Sequence, residues 1–193
     1  MNVLIGCEES QKVCQAFRKL GHAAWSCDII KTRGDLRWHI IGDVMQVAQA
    51  ALDWDIIILH PPCTKIAVSG NGTYGTGKPK NYMRQEAIDW TKRLWEVAKA
   101  NAAVGVCLEN PRGVLWRAIG KCTQEIQPWQ FGHGETKATQ LWLDRLPPLK
   151  PTKIVEGREQ RIWKMGPSDT RSRDRSETYQ GIADAIAQQW GSL

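Results

Sequence analysis

Long apolar runs are what this sequence most plainly lacks: hydrophobic residues nowhere continue far enough to cross a bilayer, so no membrane role is expected. The first residues, Met1-Asn2-Val3-Leu4-Ile5, have neither the basic start nor the extended apolar core of a secretory signal, and a cytoplasmic location follows as the expectation. None of the six cysteines (Cys7, Cys14, Cys27, Cys63, Cys107 and Cys122) stands in C-x-x-C spacing, which removes a zinc site and a disulfide framework as readings and leaves no metal expected. There is no internal repeat and no low-complexity tract. What remains is 193 residues, enough for one well-filled core and too few for two ordinary ones, so one domain over residues 1 to 193 is expected. The net charge of +6 fits a polyanionic partner without demanding one.

Short apolar runs alternate with helical periods. Val3-Leu4-Ile5 leads through Gly6-Cys7-Glu8-Glu9-Ser10 into a helix with Val13, Ala16, Phe17 and Leu20 on one face. Ala23 to Cys27 reads as a strand ending in Asp28, and His39-Ile40-Ile41 as a third, followed by Asp43 and a helix over 44 to 52. Asp55-Ile56-Ile57-Ile58-Leu59, β-branched and apolar on both faces, is the strongest strand signal and runs straight into His60-Pro61-Pro62-Cys63. Residues 65 to 81, rich in glycine and without a sustained period, read as a mobile loop set over the strand ends. A helix over 84 to 102 and a buried strand, Val104 to Leu108, ending in Glu109-Asn110-Pro111, come next. Further strands are expected at 124 to 130 and 139 to 143, a basic segment from Arg158 to Arg175, and a closing helix from Tyr179 to Trp190. This alternation predicts an α/β fold with a doubly wound, mostly parallel sheet whose ligand sites lie at the carboxyl ends of the strands. Most of the ten tryptophans fall on helix or strand faces and read as core.

Three strand ends then carry chemistry: an acid-rich loop after the first strand, Pro-Pro-Cys after the buried one, and Glu-Asn-Pro after the next. A thiolate can add to an electron-poor carbon, and a nearby carboxyl can protonate or hydrogen-bond the ring nitrogen that takes up the electron density. The prolines fix the turn that presents Cys63. A Cys-His hydrolase using His60 or His133 is the competing use of the same thiol, but no oxyanion-hole signature follows Cys63.

Pro61-Pro62-Cys63 with Gly70 downstream, and Glu109-Asn110-Pro111, resemble the nucleophile and base-binding motifs of DNA cytosine-C5 methyltransferases. Cys7 to Gly21 is similar in place to that family's first cofactor motif, Asp28 and Asp43 match its acids after the second and third strands, and Tyr179-Gln180-Gly181-Ile182-Ala183 is similar to its last motif. The series also resembles a shorter group of phage-encoded cytosine methyltransferase-like proteins. The resemblance implies a Rossmann-like class I S-adenosylmethionine-dependent methyltransferase fold in a single catalytic domain. It implies Cys63 as the nucleophile toward C6 of an extruded cytosine and Glu109 as the grip on its Watson–Crick edge. S-adenosylmethionine is then the cofactor, held by Cys7, Glu8, Glu9, Ser10, Asp28, Ile29, Asp43, Val44 and Pro61, and DNA the partner, with a bacterial host's cytoplasm as the setting.

The sequence departs from the family at informative places. Glu9-Ser10-Gln11 stands where a Gly-x-Gly turn belongs, and around Glu135 to Thr139 only Lys137 keeps the charge of an arginine motif. Lys137, Asn110 and one of Arg158 or Arg161 are therefore the candidate contacts to substrate. Residues 144 to 176 leave no room for a target-recognition domain, so low specificity, or recognition by a protein partner, is expected. Two alternatives stay open: a nucleoside- or DNA-binding protein without turnover, and an enzyme modifying free cytosine nucleotides.

Overall fold

The computed structural model describes every residue except Ala51, Pro167 and Thr170, together with the side chain of Ser172. In chain order the elements are β1 (Asn2–Gly6), α1 (Lys12–Lys19), β2 (Ala23–Asp28), β3 (His39–Ile41), α2 (Val44–Gln49), β4 (Ile56–Leu59), α3 (Asn71–Tyr74), α4 (Asn81–Asn101), β5 (Gly105–Pro111), α5 (Trp116–Ile119), β6 (Gln124–Ile126), β7 (Thr139–Asp144), α6 (Arg161–Lys164), α7 (Arg171–Ser176) and α8 (Gln180–Trp190). The strands form one seven-stranded sheet in the order β3-β2-β1-β4-β5-β7-β6. All neighbours from β3 to β5 are parallel, and β7 runs antiparallel between β5 and β6. The expected α/β architecture, a Rossmann-like fold with a mostly parallel sheet, is what the chain adopts.

The β-branched run of β4 lies at the centre with every residue buried, as a parallel strand covered on both faces requires. Alternate side chains serve two apolar layers. Val3, Ile5, Ile56, Ile58 and Cys107 pack with α1 and α8 on one face, while Leu4, Ile57, Leu59, Val106 and Leu108 pack with α2 and α4 on the other.

Several boundaries differ from expectation for local reasons. β6 stops at Ile126, because Pro128 has no N–H to donate to a ladder and instead opens a helical turn over Pro128–Gln130. The glycine-rich stretch after Cys63 is not a bare loop: a short helical turn and α3 lie within it, and the buried Arg84 of α4 pins it from beneath. Arg84 donates to the Lys65 carbonyl at 2.6 Å, to the Ala67 carbonyl at 3.2 Å and to Asn71 Oδ1 at 2.8 Å. The basic segment forms α6 and α7.

Candidate active site

The carboxyl ends of β1, β4 and β5 bring the acid-rich loop, Pro-Pro-Cys and Glu-Asn-Pro to one edge of the sheet. Glu109 faces the α8 side, where it lines a narrow crevice with His60, Lys137, Thr139, Tyr179 and Ile182. Its Oε2 lies 3.1 Å from His60 Nδ1, and both side chains are largely buried, 17% and 9% exposed. Burial alone would raise the Glu109 pKa, but the His60 hydrogen bond and the charges of His60 and Lys137 hold it below the ordinary carboxylate range. Burial would likewise lower His60; the bond to Glu109 and the charges of Glu109 and Glu8 outweigh this and raise it. The two shifts agree on an ion pair at neutral pH.

Cys63 is partly buried, and burial together with the Glu109 charge pushes its thiol up, while Lys137 and Arg175 pull it down. Lys137 is lowered by burial against the opposing pull of Glu109 and Cys63. Its ammonium donates to the Glu177 carbonyl at 3.2 Å and stands 5.7 Å from the Tyr179 ring centroid. Cys63, Glu109, His60 and Lys137 thus form one electrostatically coupled group. Asn110, the next residue along β5, points the other way: 1% exposed, it donates from Nδ2 to the Pro61 carbonyl at 2.9 Å, tying β5 to the turn that presents Cys63.

A second set of candidates gathers at the carboxyl ends of β1, β2 and β3. Cys7, in the left-handed region at φ 59°, lies close enough to Asp28, Cys27 and Asp43 that, after burial, their charges raise its thiol further. Asp28 is itself raised by burial. Asp43 caps α2 by accepting the Met45 N–H at 2.9 Å, Val44 is buried beneath Gly6, and Ile29 is 78% exposed beside Asp28. Two carboxylates at the ends of β2 and β3, with an uncovered apolar side chain beside one of them, suit the hydroxyls and flat base of a nucleoside. The amino terminus of α1 is different. Glu8, 4% exposed, accepts the Val13 and Cys14 N–H groups at 2.6 and 3.2 Å, and burial raises its carboxyl to about 7. A ligand anion has no free amide there.

The remaining candidates lie around these centres. Glu9 pairs with Arg33 at 2.7 Å, and the Ser10 hydroxyl accepts the Lys12 N–H at 3.5 Å. Arg161 binds Glu135 at 2.9 Å, and Glu135 also accepts the Tyr179 hydroxyl at 2.6 Å, which sets Arg161 at the crevice rim. Arg158 stacks on Trp129, 4.0 Å from the ring centroid, with its guanidinium donating to the Val155 and Gly157 carbonyls. Among the described residues no group of three or more His, Cys, Asp or Glu is placed to hold a metal ion, and no helix is long and apolar enough to cross a membrane.

Sequence reasoning gave His60 a role only in the competing Cys-His hydrolase, not beside Glu109. The signal was available in strand register: Leu59 pairs with Leu108, so the next residues, His60 and Glu109, emerge side by side. Tyr179 was missed because its bond to Glu135 is distant in sequence, and the capping function of Glu8 because residue pattern does not reveal which way a loop carboxylate turns.

No family model and no curated protein sequence matches the chain. Among solved structures, 86% of the chain is similar in fold to an E. coli crystal structure, provisionally described as a DNA modification methyltransferase encoded within a prophage, at a TM-score of 0.52 and 10% identity. The chain spans 55% of that structure's length, and the likeness concerns the fold alone.

Proposed function

We propose that the protein is a methyltransferase acting on C5 of cytosine in DNA, through a transient bond from Cys63 to C6, with S-adenosylmethionine as methyl donor. The observation that carries this reading is the convergence of Cys63, Glu109, His60 and Lys137 at neighbouring strand ends. The methyltransferase description of the prophage structure with the similar fold is consistent with it.

Cys63 supplies the sulfur that bonds to C6, making C5 nucleophilic; Glu109 bonds N3 and the exocyclic amine; Lys137 offsets negative charge on the thiolate and ring. Asn110 fixes the Pro61 carbonyl and with it the direction of the Cys63 turn. Asp28 and Asp43 would hold the hydroxyl and base ends of the nucleoside, with Ile29 across its face. The cofactor contributes an electrophilic methyl group on sulfur when bound. Its carboxylate must find partners other than the amides that Glu8 occupies. The crevice beside Glu109 has space for little more than a water, so the base needs the Tyr179 side or the Cys63 turn to move aside. Extruding a base from a duplex costs a few kcal/mol and less from single strands, which favours single-stranded or mismatched DNA.

The occupied α1 terminus also favours a second reading, a protein that binds a nucleoside without turnover. Transfer of labelled methyl from S-adenosylmethionine to single- and double-stranded DNA, with Cys63→Ser in parallel, separates the two. Label in 5-methylcytosine that disappears in the variant supports the enzyme; binding of the nucleoside with no labelled product on any DNA refutes it.

A further inference from the structure

His60 lines the crevice beside Glu109, with Glu8 near enough to act on it electrostatically. Its Nδ1 meets Glu109 at 3.1 Å, while Nε2, on the other side of a ring that is 9% exposed, is buried without a hydrogen-bond partner. Glu8 is close enough that its carboxyl and the imidazole shift one another's titration. The bond to Glu109 favours a proton on His60, while the partnerless buried Nε2 penalises a second N–H there, so the ring is poised between two proton counts. The groups that face it are Glu109 of β5, Glu8 of the β1–α1 loop and Lys137 before β7. Tyr179 shares the crevice.

We infer that His60 is the proton reservoir for Glu109, delivering a proton through it to the substrate ring when Cys63 adds and recovering that proton when the adduct breaks down. The inference rests on the cytosine reading above and names a residue that reading does not use. Ionised Glu109 opposes a thiolate at Cys63. A proton passing from His60 Nδ1 to Glu109 neutralises that charge while it rests on the carboxyl, and moves on to N3 as the C4=N3 electron pair shifts onto N3. Cys63 gives its own proton to solvent, Sγ bonds to C6, the C5=C6 electron pair moves toward C4, and N3 takes the relayed proton. After methylation C5 gives its hydrogen to solvent as a proton, the C–S bond breaks with its electrons returning to sulfur, and the N3 proton goes back through Glu109 to His60. One proton leaves the pair and one returns. Glu8 is a positioning residue here: its ionised form, present as pH rises through its own titration, favours the proton on His60 while touching neither substrate nor Cys63.

The test has two arms on the full chain. Histidine-labelled protein carries four histidines, His22, His39, His60 and His133, and His60→Asn identifies the His60 resonance by its loss. His60 is expected to titrate above its ordinary value of 6.5, and Glu109→Gln or Glu8→Gln to bring it down. The second arm follows covalent capture on single-stranded DNA containing 5-fluorocytosine against pH, with unfolding curves showing that each variant is folded. Asn keeps a donor near the position of Nδ1 but cannot release a proton. His60→Asn should slow capture about a hundredfold at neutral pH and abolish the loss of rate that wild type shows as pH rises through the His60 titration. A purely structural histidine would be rescued by Asn. Titration at or below 6.5, or a wild-type pH profile in His60→Asn, overturns the relay alone. High titration of His60 with no capture by wild type at any pH overturns the cytosine reading and the relay with it.

Discussion

Glu8→Gln should change the sign of its effect on stability between pH 4 and pH 8. The carboxyl is buried at the amino terminus of α1 and titrates at about 7 against an ordinary 4.5. At about 1.4 kcal/mol for each pH unit this corresponds to about 3 kcal/mol. The folded state holds the proton more tightly than the unfolded chain, so this contribution to stability is fully present below pH 4.5 and is lost as pH rises through 7. Glutamine cannot ionise and avoids that loss. It keeps one acceptor oxygen, so one of the Val13 and Cys14 N–H bonds goes, at about 1 kcal/mol. At pH 4 the variant should therefore unfold about 1 kcal/mol more easily than wild type, and at pH 8 be about 2 kcal/mol more stable. At roughly 2–4 °C for each kcal/mol, melting temperatures should cross over, with the variant several degrees higher at the alkaline end. Thermal unfolding of both proteins across this range measures it, and the difference between them cancels every other titrating group that the substitution leaves alone. A difference that stays constant from pH 4 to pH 8 would refute the assignment of Glu8 as a buried, nearly neutral acid.

Asn110→Ala leaves the buried Pro61 carbonyl without its donor, and should cost about 1–3 kcal/mol in denaturant unfolding; under the proposed function it should also reduce methyl transfer more than the stability loss explains. Lys137→Met removes the cation that favours the Cys63 thiolate, so alkylation of Cys63 by iodoacetamide at pH 8 should slow by roughly threefold or more, read by peptide mass spectrometry. Arg84→Ala abandons the Lys65 and Ala67 carbonyls and Asn71 Oδ1, and should lower stability by about 3 kcal/mol and expose the segment after Cys63 to protease. Gly181→Ala would drive a methyl group into the Phe131 carbonyl, and a melting temperature equal to that of wild type would contradict the close approach of α8 at that point.

Much of this was legible from residue pattern because the pattern was local. The Asp55 to Leu59 run, the period of α1 and α4, and the acids after β2 and β3 each depend on residues within a turn or two of one another, and these elements appear where expected. The convergence of Cys63 and Glu109 on one edge of the sheet followed from parallel strands having their ends on the same side. What could not be read was long range. Arg84 closes a segment some fifteen residues away, so glycine content there suggested mobility where a buried guanidinium imposes order. Glu8 looked like a ligand contact because sequence does not reveal that its oxygens are consumed by Val13 and Cys14. His60 looked like a residue turned away from the chemistry because register with β5, not distance along the chain from Cys63, decides its partner.

The division of labour between Glu109 and Asn110 also constrains how the site can vary. Adjacent residues on β5 serve opposite faces of the sheet, one open to the crevice and one locked under the turn. Adding or deleting one residue within β5 would exchange them, aiming an amide at the crevice and a carboxylate at a buried carbonyl. The apolar residues before them, Val106, Cys107 and Leu108, are similar enough in size and polarity for the strand to tolerate such a slip. Function at this site is therefore more sensitive to reading frame than folding is, and a scan of single-residue insertions along β5 should yield folded proteins without chemistry.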